Sequence, residues 1–475
     1  MALFNPSAKA WPMVLLLLAV ALGFWAASGP VQWMDNGQYL ANAAAGQWLS
    51  NGFGPLDHPL FQTLTTLLYQ MGGPAVVVWL NTGLLVPLAA VVFWLARTLG
   101  AQRHLAWAAA AVALLAHGTF WQASKVDIFL LLTLWVLLAY ALHFDQRLRL
   151  GDGQRLVAIG LCSGLGASVH PLALLLLAPL YLQLSQLYRG YVAVAMAAAA
   201  LGFAAAWPAL FGELASGLRP IEVARHYVTG FSPLAPGSGR ENALLRFDLM
   251  WHEKNSLLLL MLSLLGPQVF GLLCRPACGK QRLLWWALWL NVVGVASYNV
   301  FDRFTYFVPG IALACILGVL RLDTWLPRNA GGRLLFNGSL VAGPLALLAM
   351  WMLYAHGWVK LPTHAQSVPY RDDIHYLMVP YLRDTSAADF AAHYERATPA
   401  GALIVSDETP LGALRSGQAA GLLKGWVFEP CGAAPDIGMF LKGPGAYLAR
   451  TSYCERIVAR YRLDTWPVGY RLQYR

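Results

Sequence analysis

The stretch WPMVLLLLAVALGFWAA, Trp11 to Ala27, contains no charged side chain and follows a single early cation, Lys9. It resembles a signal peptide in length. No polar mature domain succeeds it, because further apolar runs keep coming, so it reads as a retained first membrane span. A spanning helix needs about 20 mostly apolar residues. By that measure the chain predicts about eleven spans, near 11–29, 75–96, 105–121, 126–144, 156–169, 171–187, 191–210, 256–273, 283–301, 305–320 and 334–355. Of the 475 residues 58% are hydrophobic and only 12% charged. An average soluble domain has roughly 45–50% and about 25%. These proportions exclude a soluble enzyme and a disordered chain. The formal charge of +10 belongs to the loops of a membrane protein rather than to a nucleic-acid partner.

The loop cations fix an orientation. Lys9, Arg97, Arg103, Arg147, Arg149, Arg155, Arg189, Arg275, Lys280, Arg282, Arg321, Arg328 and Arg333 fall in one alternate set of short loops, and only Lys125 and Arg303 in the other. The richer set faces the cytoplasm. The N-terminus is then cytoplasmic, and the C-terminal region extracytoplasmic, in a bacterial inner membrane. Residues 1–356 form the membrane domain, with long outer loops at 30–73 and 211–255. From Gly357 to Arg475 the composition is that of a soluble domain, and Gly401-Ala402-Leu403-Ile404-Val405-Ser406-Asp407 reads as a buried strand ending in a polar turn. That region is expected to be a small α/β domain. Its two cysteines, Cys431 and Cys454, lie on the oxidising side and are expected to pair, while Cys162, Cys274, Cys278 and Cys315 stay reduced.

Ionisable residues gather at the outer turns. Asp35, just beyond the first span, and Asp57, one residue before His58-Pro59, can act on an acceptor hydroxyl or hold a divalent cation such as Mg or Mn; capping of interfacial helices is the equal alternative. His58 stands before Pro59, a favoured first helical residue, so backbone N–H groups there can also meet a phosphate. Lys125 is either a phosphate ligand or half of a snorkelling pair with Asp127. His170 splits an apolar region at the same level, as a phosphate or acceptor ligand or as a structural imidazole. Arg303 suits bidentate phosphate recognition or an internal pair with Asp302. Arg225 and His226 offer another cationic pair, whose ordinary explanation is a solvated helix face. No Walker loop, Gly-x-Gly-x-x-Gly fingerprint, His-Glu-x-x-His or Gly-x-Ser-x-Gly appears.

Together these stretches resemble a family. Asp35-x-Gly37-Gln38-Tyr39 followed by His58-Pro59-Leu60 is similar to the Asp-x-Gly-Glu-Phe and His-Pro-Pro-Gly signature of bacterial membrane proteins related to protein O-mannosyltransferases, within the GT-C glycosyltransferase superfamily. Ser124-Lys125-Val126-Asp127, the Gly164 to His170 segment and Asp302 to Pro309 resemble later motifs in the same order. The family's second Pro is Leu60 here, and the Glu of its Glu-Val-Tyr turn is Lys125. The resemblance implies an α-helical polytopic GT-C fold, a catalytic Asp at position 35 and a polyprenyl-phosphate-linked sugar as donor. In that reading His58, Lys125, His170, Arg303, Arg225 and His226 are candidates to meet the donor phosphate. The acceptor is a protein, lipid or glycan. The rival classes are a lipid or glycolipid transporter and a non-catalytic assembly factor. Clustering of charges at one face, without a visible repeat, favours an enzyme.

Overall fold

The computed structural model describes residues 6–49, 58–230, 243–251, 254–276, 278–300, 303–358, 383–433 and 436–475. Helices dominate the first three quarters of the chain: α1 (Pro6–Ala26), α2 (Met34–Ala44), α3 (Pro59–Thr98), α4 (Arg103–Leu115), α5 (His117–Ala123), α6 (Phe129–Phe144), α7 (Asp152–Val169), α8 (Leu172–Leu187), α9 (Val192–Gly202), α10 (Trp207–Ala215), α11 (Pro220–Thr229), α12 (Lys254–Ser263), α13 (Gln268–Leu273), α14 (Gly279–Ala296), α15 (Val308–Trp325) and α16 (Ala330–Ala355). Each of the expected apolar runs is helical. Alanine- and leucine-rich α4, α6 and α15 lie at the centre, almost wholly buried, while α1 and α16 turn Leu17, Leu18, Leu334 and Leu335 outward. Apolar side chains on the outer surface suit a lipid solvent, and the chain is a multi-pass membrane protein.

Several runs are not single straight spans. Among the described residues three helical segments are long and apolar enough to cross a bilayer, Pro59–Thr98, Arg303–Trp325 and Ala330–Ala349, or five if each bent pair counts as one span. The run expected at 105–121 bends by 66° between α4 and α5, and that at 191–210 bends by 49° between α9 and the 3-10/α10 segment. The run at 256–273 is interrupted between α12 and α13. Within α3, Gly72 and Gly73 leave helical geometry, Gly73 at φ 69°, a conformation open to glycine at little cost. The part from Pro59 to Met71, which belongs to the long outer loop expected at 30–73, is thus the first section of a broken α3. Pro74 to Thr98 is then long enough, at about 1.5 Å per residue, to cross.

The C-terminal unit contains α17 (Ser386–Ala397), β1 (Leu403–Ser406), α18 (Glu408–Ala419), β2 (Val427–Pro430), α19 (Ile437–Leu441), β3 (Ala446–Leu448), α20 (Glu455–Arg460), β4 (Arg462–Thr465) and β5 (Tyr470–Gln473). Strand order is β2-β1-β3-β5-β4, with β1 parallel to β2 and β3, and β5 antiparallel to β3 and β4. The expected strand is β1, central and fully buried. Asp407 caps α18 by accepting from Thr409 N–H and takes a bidentate, buried contact from Arg450. Cys431 and Cys454 are disulfide-bonded, and the four other cysteines are free.

This unit shares a core with the membrane helices. Val31, Trp33, Trp121, Leu259 and Phe304 pack in one cluster with Phe390, Tyr394, Ile404, Leu411 and Leu414. The α/β domain therefore sits on the end of the bundle where α2 and α5 terminate.

Candidate active site

The residues between α1 and α2 are tied to the turn before α6. Ser28 N–H donates to Ser124 O, Val126 N–H to Gln32 Oε1, and Asn36 Nδ2 to Val126 O at 2.7 Å and Asp127 Oδ2 at 3.2 Å. Asp127 also accepts from Gln122 Nε2 and Ile128 N–H, so its carboxylate is used to shape this turn. Asp35 lies in the first turn of α2, half-buried. The residue before it, Met34, has φ 54°, left-handed backbone that costs about 1–3 kcal/mol and needs support from its surroundings. Lys125 is only 1% exposed. Its ammonium lies 5.0 Å from the Trp121 ring centroid and donates to Ser124 Oγ, which offsets part of the cost of desolvating a cation.

His58 is the second left-handed non-glycine residue here, with φ 46° immediately before Pro59. Its ring stacks on His170 with centroids 5.1 Å apart. His58 Nδ1 donates to Val169 O, whereas His170 Nδ1 accepts from Leu172 N–H. In the neutral rings Nε2 is consequently an acceptor on His58 and a donor on His170. Tyr306 meets His170 edge-on at 5.2 Å, and Phe129 at 4.6 Å. These imidazoles, with Tyr227, Tyr298, Ser297 and Tyr306, line a cavity of about 340 Å³. A second, apolar cavity of about 620 Å³ is walled by Leu174, Leu177, Met196, Phe203, Trp207 and Leu214 among others. Tyr227 lines both cavities and donates its hydroxyl to Ala167 O.

Three of the sequence candidates take other places. Arg303 is wholly buried and donates from Nη1 to Ala296 O and from Nη2 to Met250 O. Two of its nitrogens thus tie the segment after α11 to α14, and it is Tyr306 of the same motif that faces the cavity. His226, instead of joining the phosphate-level cluster, turns into a buried pair with Glu213, each 2% exposed. Arg225, on the same helix α11, is exposed. Asp57 and Asp302 lie outside the described residues. Among the described residues no group of three or more His, Cys, Asp or Glu converges as a metal-holding set.

Arg415, which sequence reading missed, stands at the edge of this region. Its Nη1 donates to Gln38 Oε1 at 2.9 Å, and Gln38 Nε2 donates onward to Asn42 Oδ1. Burial pulls the Arg415 guanidinium below its ordinary value, with Glu408 and Glu429 opposing. Gln38 lies three residues after Asp35, on the same face of α2. No local signal marks Arg415, because its partner is 377 positions away.

No family model and no curated protein sequence matches the chain. Solved structures do. The chain is similar to ArnT from Cupriavidus metallidurans in the apo state, with TM-score 0.59 and 14% identity over 98% of both chains. It is likewise similar to the same protein bound to undecaprenyl phosphate, with TM-score 0.61 and 13% identity over 98% of this chain and 97% of that one. At such identity the likeness concerns the fold, and it extends over both the helical bundle and the C-terminal sheet.

Proposed function

We propose that the protein is an integral-membrane glycosyltransferase that moves a sugar from a polyprenyl-phosphate-linked donor to an acceptor hydroxyl. The reaction takes place at the extracytoplasmic face of a bacterial inner membrane. The observation that carries this reading is the wall shared by the two cavities at Tyr227. An apolar compartment next to one bearing imidazoles and phenols matches a ligand with a long hydrocarbon tail and a polar head. The similar ArnT structure bound to undecaprenyl phosphate supports a carrier of that class. The motif order supports placement near the O-mannosyltransferase-related branch.

In the proposed step Asp35 accepts the proton of the acceptor hydroxyl while that oxygen forms a bond to the anomeric carbon. The bond from that carbon to the phosphate oxygen breaks, its electron pair leaves with the polyprenyl phosphate, and the anomeric configuration inverts. His170 Nε2–H and Lys125 stabilise the departing negative charge. Asp35 with Asp57 would be the pair to hold a divalent cation, and no part of this step depends on one.

The test is purified protein in lipid nanodiscs with a panel of polyprenyl-phosphate-linked sugars. Transfer or slow hydrolysis of at least one donor is expected, together with thermal stabilisation by the polyprenyl phosphate product. Absence of both turnover and stabilisation with every member of the panel would overturn the reading.

A further inference from the structure

We propose that the C-terminal α/β domain is a positioning element of the active site: α18, through Gly412 and Ser416, holds the turn that carries Asp35 and, through Gln32, the turn that carries Lys125. This rests on Asp35 being the base.

The first observation is a backbone-to-backbone approach. A Cβ on Gly412 would stand 2.0 Å from Met34 O, and a Cβ on Gly37 would stand 2.3 Å from Gly412 O and 2.0 Å from Gln32 O. No side chain fits at either position, which gives the glycine of the Asp-x-Gly stretch a specific task. The two contacts bracket Asp35 on both sides. They also supply the surroundings that the left-handed Met34 requires, since strained backbone persists only where neighbours over-determine it.

The second observation is polar. Ser416 Oγ accepts from Gln32 N–H at 3.1 Å and donates to Gly412 O at 2.7 Å. The Gln32 side chain divides itself between Gly29 O and Val126 N–H, so one residue couples α18 to the turn next to Lys125. Trp33 adds an indole N–H bond to Ser386 Oγ and packs on Phe390 at 4.9 Å. The close and polar contacts from α17 and α18 fall on Gln32, Trp33, Met34, Gly37 and Gln38, on both sides of Asp35. The seam also packs on Trp121, Leu259 and Phe304, but the backbone-to-backbone approach falls beside Asp35. A base displaced by 1 Å can lose about 10²-fold in rate, so a rigid backing for Asp35 has catalytic value.

The experiment compares the full-length protein with Ser416→Ala, Gly412→Ala and the conservative Ser416→Thr. It reads amide exchange by mass spectrometry and donor kinetics. In the first two variants exchange should rise by about tenfold over residues 28–44 and 122–128, while residues 403–406 and 446–448 keep their protection. The value of kcat should fall by roughly 10–100-fold, with KM for the donor within about threefold of the original. Ser416→Thr keeps the acceptor oxygen and should behave as the parent protein. If Gly412→Ala also exposes the sheet, Ser416→Ala alone decides. Unchanged exchange over 28–44 overturns the proposal whether or not transfer is measurable, and so does a loosened turn with undiminished kcat. Absence of transfer by the unaltered protein, with exchange over 28–44 still dependent on Ser416, would overturn the transfer reading and leave the clamp standing.

Discussion

His58 and His170 stack with their ring planes 16° apart, and their Nδ1 atoms are used in opposite senses, one donating to Val169 O and the other accepting from Leu172 N–H. The pair therefore presents one acceptor and one donor to the same cavity. His170→Gln, which can retain a donor, should keep more activity than His170→Ala, by roughly tenfold if the bond is to a charged phosphate. Donor titrations of the two variants check this. Equal activities would make His170 a structural imidazole.

Asp35→Asn is nearly isosteric and should leave the fold intact while lowering transfer by about 10²–10⁴-fold, the usual worth of a general base. Single-turnover assays with a fixed donor, beside circular dichroism, measure both. Retention of most activity would move the role of base to Asp57.

Arg303→Ala should act on stability rather than on donor selectivity. Its guanidinium is spent on the carbonyls of Ala296 and Met250. Leaving such buried groups unsatisfied costs about 1–3 kcal/mol each. Thermal unfolding should shift downward, and donor and acceptor use should decline together. A selective rise in donor KM at unchanged stability would return Arg303 to the phosphate.

Alkylation of denatured, non-reduced protein should modify four thiols and spare Cys431 and Cys454, whose Cα atoms lie 5.2 Å apart. Closing a loop of this size contributes about 3 kcal/mol by the chain-entropy relation. Reductant should accordingly lower the unfolding temperature of the C-terminal domain, and intact-mass measurement counts the labels.

The helical runs and the central strand of the sheet domain were legible because apolar length and a buried β-strand are properties of local sequence, and the expected pairing of Cys431 with Cys454 is present. The bend between α4 and α5 was not legible. It falls at Ala116, two residues before Gly118, and no Pro lies in the run from Arg103. Among site candidates, His58 and His170 stack on one another, and the segment that carries Asp35 is bonded to the turn that carries Lys125. His226 shows the limit. Its committed partner, Glu213, sits thirteen positions upstream in the same loop, and only the fold of the α10–α11 hairpin brings them together. Arg415, Ser416 and Gly412 carry no motif at all, because the partners that give them meaning are encoded at the other end of the chain.

The seam between Gln32 and Ser416 spans 384 positions, which has a consequence for biosynthesis. At about 5–20 residues per second, roughly 20–80 s separate synthesis of these two residues. During that interval the membrane helices can be inserted, yet the aspartate turn has no backing. Under the proposed function, a nascent chain lacks the backing of its Asp35 turn until its final quarter has been made and folded. Truncation between Ala355 and Gly412 would remove the contacts of Gly412 and Ser416 that back the Asp35 turn.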